Sequence, residues 1–64
     1  MKNKVKALRK EMGLRQEDIA NQLGVTRQTI IAIENDKYNP TLALAMKLAR
    51  LLGEPVEQIF TLEE

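Results

Sequence analysis

Arg27, Gln28, Thr29 and Ala32 sit close together in sequence and carry chemistry suited to the edge of a base pair. A glutamine amide sets donor beside acceptor, matching N6 and N7 of adenine, and an arginine fork matches O6 and N7 of guanine. Ala and the Thr methyl pack on a thymine methyl. These side chains act together only if one rigid element presents them. At 100° per residue, a helix from Arg27 to Asn35 puts Ile30, Ile33 and Glu34 on one side. Gln28 and Ala32 fall on the other, flanked by Thr29 and, at the opposite margin, Ile31. The apolar side belongs against a core, so the Gln28 and Ala32 side faces out. Taken alone, an exposed glutamine is more often merely solvated. Arg27 suits a base edge or a phosphate equally, and Ile31 is given no role.

The elements that must position this helix lie just upstream. Ile19, Ala20 and Leu23 mark a preceding short helix, and Gly24 follows its last apolar residue, where a chain leaving a helix often needs positive φ. Val25 fills the connection, and Thr26 can cap the next helix by accepting a hydrogen bond. A turn this short suits two helices crossing steeply, the helix-turn-helix arrangement. Ala20 fits the point where they approach. Residues 16–35 therefore form the motif around which the chain is organised.

This stretch resembles the DNA-binding domain of phage repressors and Cro proteins, the XRE family of bacterial regulators. The resemblance covers LRKEMGLRQEDIANQLGVTRQTIIAIENDKYNPTLALAMKLARLLGEPVEQIF, residues 8–60. It implies an all-α, compact five-helix, lambda-repressor-like domain with the motif in helices 2 and 3. It also implies a partly buried ion pair between Arg9 on helix 1 and Glu34 on helix 3, bracing the recognition helix. The matching Gln in these repressors contacts phosphate, a role the resemblance gives to Gln16. Free N–H groups and the dipole at a helix start favour an anion there. Thr26, Asn35, Lys37 and Tyr38, at the two ends of helix 3, are placed to clamp the flanking backbone, although a loop lysine such as Lys37 is more often simply solvated. Such contacts position without reading sequence.

The rest of the chain follows the same plan. Val5, Leu8 and Met12 give helix 1 an apolar stripe over about Lys4 to Met12, ended by Gly13. Arg15 departs from the family, which usually places a capping residue there. Arginine cannot accept the capping bond, so the start of helix 2 is expected to be less tight, helped only by Glu17 and Asp18 at its positive pole. Pro40 and Thr41 precede helix 4, Leu42 to Leu52, with Leu44, Ala45, Leu48, Ala49 and Leu52 inward and Met46, Lys47 and Arg50 outward. Gly53 stops it. Pro55 opens a fifth helix from Val56 to about Phe60.

Sixty-four residues make one domain, 1–64, of modest stability. There is no Cys and no His, which removes disulfides, thiolate or imidazole metal ligands and the usual nucleophile–base pairs. With no phosphate-cradling glycine loop either, no enzyme, metal or cofactor is expected. No stretch is long and apolar enough to span a bilayer, which points to a cytoplasmic protein with no membrane partner. The net charge of +1 is uneven: residues 1–37 hold eight basic against five acidic side chains, and residues 38–64 hold two against four. That fits a DNA-facing N-terminal half and an acidic tail, though a solvated surface would show the same asymmetry.

Double-stranded DNA is the expected partner, and transcriptional regulation, as a repressor, the expected role. Because one short helix reads few base pairs, a homodimer is expected, with Leu51, Val56, Phe60 and Leu62 as its surface. The alternative for each of these four is that it merely finishes a small core. A single domain gives no reason to expect a small-molecule ligand. The competing function is a helix-turn-helix protein-interaction module or antitoxin component, because a fold does not dictate a function.

Overall fold

The first helix is set by its two ends. The Asn3 Oδ1 accepts the Val5 N–H (3.1 Å) and satisfies a donor that no turn of helix precedes. At the other end, Leu14 N–H returns to the Arg9 carbonyl (3.1 Å) and Gly13 N–H to that of Lys10 (3.0 Å), closing the helix in a Schellman turn. The helix, α1, therefore runs Val5–Glu11, one residue shorter at each end than the apolar stripe predicts. Lys4 is drawn out of it because its N–H donates to the Ile59 carbonyl (2.8 Å).

The structure is a computed structural model and describes residues 1–62, so Glu63 and Glu64 of the acidic tail lie outside it. Four more helices follow: α2 (Gln16–Leu23), α3 (Arg27–Glu34), α4 (Leu42–Leu52) and α5 (Val56–Ile59). The fold is the expected five-helix bundle with one addition. Lys2–Asn3 (β1) and Phe60–Thr61 (β2) pair antiparallel, Lys2 opposite Thr61 and Asn3 opposite Phe60. Phe60 thus belongs to a strand rather than to the end of the fifth helix. Asn35 is the C-cap of α3 rather than its last helical residue.

The motif turn follows from its residue types. Gly24 has φ 71°, and a Cβ built on it meets nothing within 4 Å, so backbone conformation and not space calls for glycine. Val25 N–H then returns to the Ala20 carbonyl (3.0 Å). Two residues after Gly24, the Thr26 hydroxyl accepts the Thr29 N–H (3.3 Å) and starts α3. Ala20, 2% exposed, lies in the core between the two helices. A larger side chain there would hold them apart.

The core is a single cluster in which Val5, Ile19, Ile30, Ile33, Leu48 and Ile59 are fully enclosed. Ile30 and Ile33 fix the rotation of α3 about its own axis, because burying them leaves the opposite face in solvent. α4 presents Leu44, Ala45, Leu48 and Leu52 to the same cluster, and α5 closes it with Ile59.

Candidate nucleic-acid interface

The outward face of α3 carries the side chains that the sequence singles out. Arg27 and Gln28 are exposed, while Thr29, Ile31 and Ala32 are half-buried at the margins. Thr29 is not a free reader. Its N–H is held by Thr26, and the two hydroxyls lie 3.1 Å apart. Gln28 and Arg27 are the long polar side chains left at the helix start, and no ion pair engages Arg27 among the described residues.

Beneath this face lies a built brace. The Arg9 guanidinium grips the Glu34 carboxylate with two bonds, Nε to Oε2 at 2.7 Å and Nη2 to Oε1 at 3.1 Å. Its Nη1 donates to the Leu14 carbonyl (2.9 Å). The side chains of Arg9 and Glu34 are only 9% and 2% exposed, so the pair is sheltered, and each is satisfied. The hydrogen bond to Glu34 raises the Arg9 pKa above its ordinary value against the opposing cost of burial, keeping it cationic at any relevant pH. Gln16, the first residue of α2, joins this brace: its Nε2 donates to Glu34 Oε1 (3.1 Å). One carboxylate on α3 thereby gathers groups from α1 and α2. That third member was not foreseen. The Gln16 amide keeps a second N–H, and the helix start keeps its backbone donors, so both remain available to an anion.

The departure at Arg15 is compensated. The Asp18 Oδ2 accepts the Arg15 N–H (2.8 Å), the half of a capping box that an acidic side chain three residues on supplies. The Arg15 guanidinium folds back on the same carboxylate, Nη2 to Oδ1 at 3.1 Å and Nε to Oδ2 at 3.2 Å. These bonds hold the Asp18 carboxyl below the usual aspartate range and lift the Arg15 pKa. The start of α2 is therefore tighter than the missing cap suggests. Arg15, Gln16 and Glu17 line a cleft of 470 Å³ with Arg9, Leu14 and Arg27, so the starts of α2 and α3 open on one cationic hollow.

Asn35, Lys37 and Tyr38 are exposed at the far end of α3, Tyr38 at 42%. Thr26 stands at the near end. The proposed clamp residues thus flank the recognition face instead of interrupting it. Of the four residues expected at a dimer surface, Leu51 and Val56 are half-buried, Leu62 is 76% exposed, and Phe60 is 8% exposed within the core. Two residues at the site escaped sequence reasoning: Asn3, whose Nδ2 donates to the Ile33 carbonyl (2.7 Å), and Asp36, whose Oδ1 takes a second bond from that amide (3.0 Å). A lone polar residue between lysines gives no signal of either contact.

A helix-turn-helix family profile matches residues 5–59, from the start of α1 to the end of α5. The chain belongs to the XRE-type helix-turn-helix family. Among its relatives, an uncharacterised HTH-type transcriptional regulator of Methanocaldococcus jannaschii is 55% identical over 64 residues, covering 100% of this chain and 97% of the relative. The cryptic phage CTXphi transcriptional repressor RstR of Vibrio cholerae is 37% identical over 57 residues, 89% of this chain and 51% of the repressor. A solved structure, the hypothetical transcription factor NHTF from Neisseria, superposes with a TM-score of 0.76 at 31% identity, over 84% of this chain and 61% of that one. In this helix-turn-helix protein the matched span contains all five helices and the Arg9–Glu34–Gln16 brace, while the strand pair that carries Asn3 falls outside it.

Proposed function

We propose that the chain is a sequence-specific transcriptional regulator, acting as a repressor, that reads the major groove of duplex DNA with α3. The observation that carries this reading is the exposed polar face of α3, Arg27 and Gln28, on a helix rigidly held by the Arg9–Glu34–Gln16 brace. Family membership supports it, as do relatives that are a transcriptional regulator and a phage repressor by name. In this reading Gln28 contacts a base edge, with Ala32 and the Thr29 methyl against a thymine methyl. Arg27 reaches a base or the adjoining phosphate. Gln16, Thr26, Asn35, Lys37 and Tyr38 hold the backbone on either side.

A second copy of the chain completes the reading. The C-terminal surface around Leu51, Val56 and the exposed Leu62, with only the edge of Phe60, supplies the contact between copies on a palindromic site. The protein works in the cytoplasm, where among the described residues no helix is long and apolar enough to cross a membrane. No small-molecule effector enters this reading, and control comes through the protein's concentration or a partner. Titration of a labelled duplex at several salt concentrations tests the proposal. DNA binding through released counterions makes log affinity fall linearly and steeply with log salt. An affinity that ignores salt, or no affinity at low salt, contradicts it and favours the protein-interaction role.

A further inference from the structure

Three helices of this chain end alike, and the recognition helix does not. α1, α2 and α4 end on glycines at positive φ, 72° at Gly13 and 71° at Gly24 and Gly53. α3 makes the same pair of closing bonds as α1 and α2, from Asp36 N–H to the Ile33 carbonyl (3.1 Å) and from Lys37 N–H to that of Ala32 (2.9 Å). Yet the left-handed position is held by Asp36, φ 59°, the one non-glycine at positive φ among the described residues. A side chain is disfavoured there, although aspartate tolerates it better than most. A contact from outside the turn steadies it further.

Asn3 lies against this turn. Its amide nitrogen donates both to the Ile33 carbonyl (2.7 Å) and to Asp36 Oδ1 (3.0 Å), while its oxygen caps α1 at Val5. The first two bonds span 30 and 33 residues of sequence, so they are tertiary. Asn3 is itself fixed by the strand pair, opposite Phe60. One side chain therefore joins the chain termini, the start of α1 and the last turn of α3.

We infer that Asn3 is a positioning residue for DNA reading. It clamps the closing turn of α3 to the terminal strand pair and sets the direction in which Lys37 and Tyr38 leave the helix. The inference rests on the proposed DNA-binding function. Arg9 and Asn3 then brace the same end of the recognition helix, one through the Glu34 side chain and the other through the backbone of its last turn.

Asn3→Asp separates this role from the capping of α1. The carboxylate still accepts the Val5 N–H, but it loses the amide donor and opposes both the Ile33 carbonyl and Asp36. Amide hydrogen exchange at Asp36 and Lys37 rises about tenfold or more on loss of these bonds, and duplex affinity falls about tenfold. Protection at Val5 and in α2 and α4 stays as in wild type. Unchanged exchange at Asp36 and Lys37, or an equal rise in every helix, overturns the inference. Should Asn3→Asp fail to fold, Asp36→Gly approaches the link from the other side, because glycine needs no help at that φ. Asn3→Ala then costs less affinity in the Asp36→Gly background than alone, and strict additivity overturns the clamp. Exchange needs no DNA. A chain that binds no duplex yet loosens at Asp36 and Lys37 in Asn3→Asp contradicts the proposed function and supports the clamp.

Discussion

Gln28 and Arg9 occupy opposite environments, one in solvent and one in the core. Gln28 is exposed on the reading face, so Gln28→Ala removes a base contact without disturbing packing. It costs about 1–3 kcal/mol of discrimination at one base pair per half-site, seen by comparing the preferred duplex with single-position variants. Equal weakening on every duplex would place Gln28 on the phosphate backbone instead. Arg9→Ala acts through the fold. It leaves the Glu34 carboxylate, 2% exposed, with the Gln16 amide as its remaining side-chain donor. Removing one partner of such a pair costs about 3–5 kcal/mol. With total stability of about 0.05–0.15 kcal/mol per residue, that is most of what a domain this small has. Urea denaturation measures it, and an Arg9→Ala chain as stable as wild type sinks the brace. A well-packed apolar pair could serve stability as well, but it would not fix α3 through directional bonds to α1 and α2.

At the scale of elements, the helix-turn-helix was legible because its boundaries are chemically specific. Gly24 takes the left-handed turn and Thr26 caps α3, as their types imply. Helix 4 runs from Leu42 to Leu52 as its apolar face indicates, because the stripe is bounded by a Thr41 cap and a left-handed Gly53. The strand pair was not legible, because two strands of two residues leave no alternation to detect. Asn3 stands between two lysines and Asp36 between Asn35 and Lys37, so neither type nor spacing signals the bond between them. Arg15 misled differently: judged by its own side chain it spoils a cap, whereas the bond comes from Asp18 three residues on. That bond carries a pH signature. Folding lowers the Asp18 pKa, first through the Arg15 side chain and then through its backbone N–H. The stabilisation is therefore complete above the ordinary aspartate range, about pH 4, and is lost as pH falls through the lowered folded value. Asp18→Asn should flatten the acid limb of the stability curve and fray α2 at neutral pH. A limb identical in the variant and wild type would assign acid sensitivity elsewhere.

Across the whole molecule, α3 presents the reading face, and Leu62 near the chain termini is exposed, as are Leu42 and Met46 on α4. α3 is braced from α1 and α2 and closed against the strand pair, so its orientation is a property of the entire fold. One copy reads only a few base pairs. Reading a palindrome requires two copies whose α3 helices lie on successive turns of one groove, about 34 Å apart or a multiple of it. The interaction-module alternative requires none of this spacing. Selection from a random pool of duplex DNA at low and high salt therefore tests the central claim most directly. The account predicts enrichment of a palindromic consensus whose half-sites keep that spacing, with recovery falling as salt rises. Enrichment of no sequence, at low salt as well as high, would contradict it.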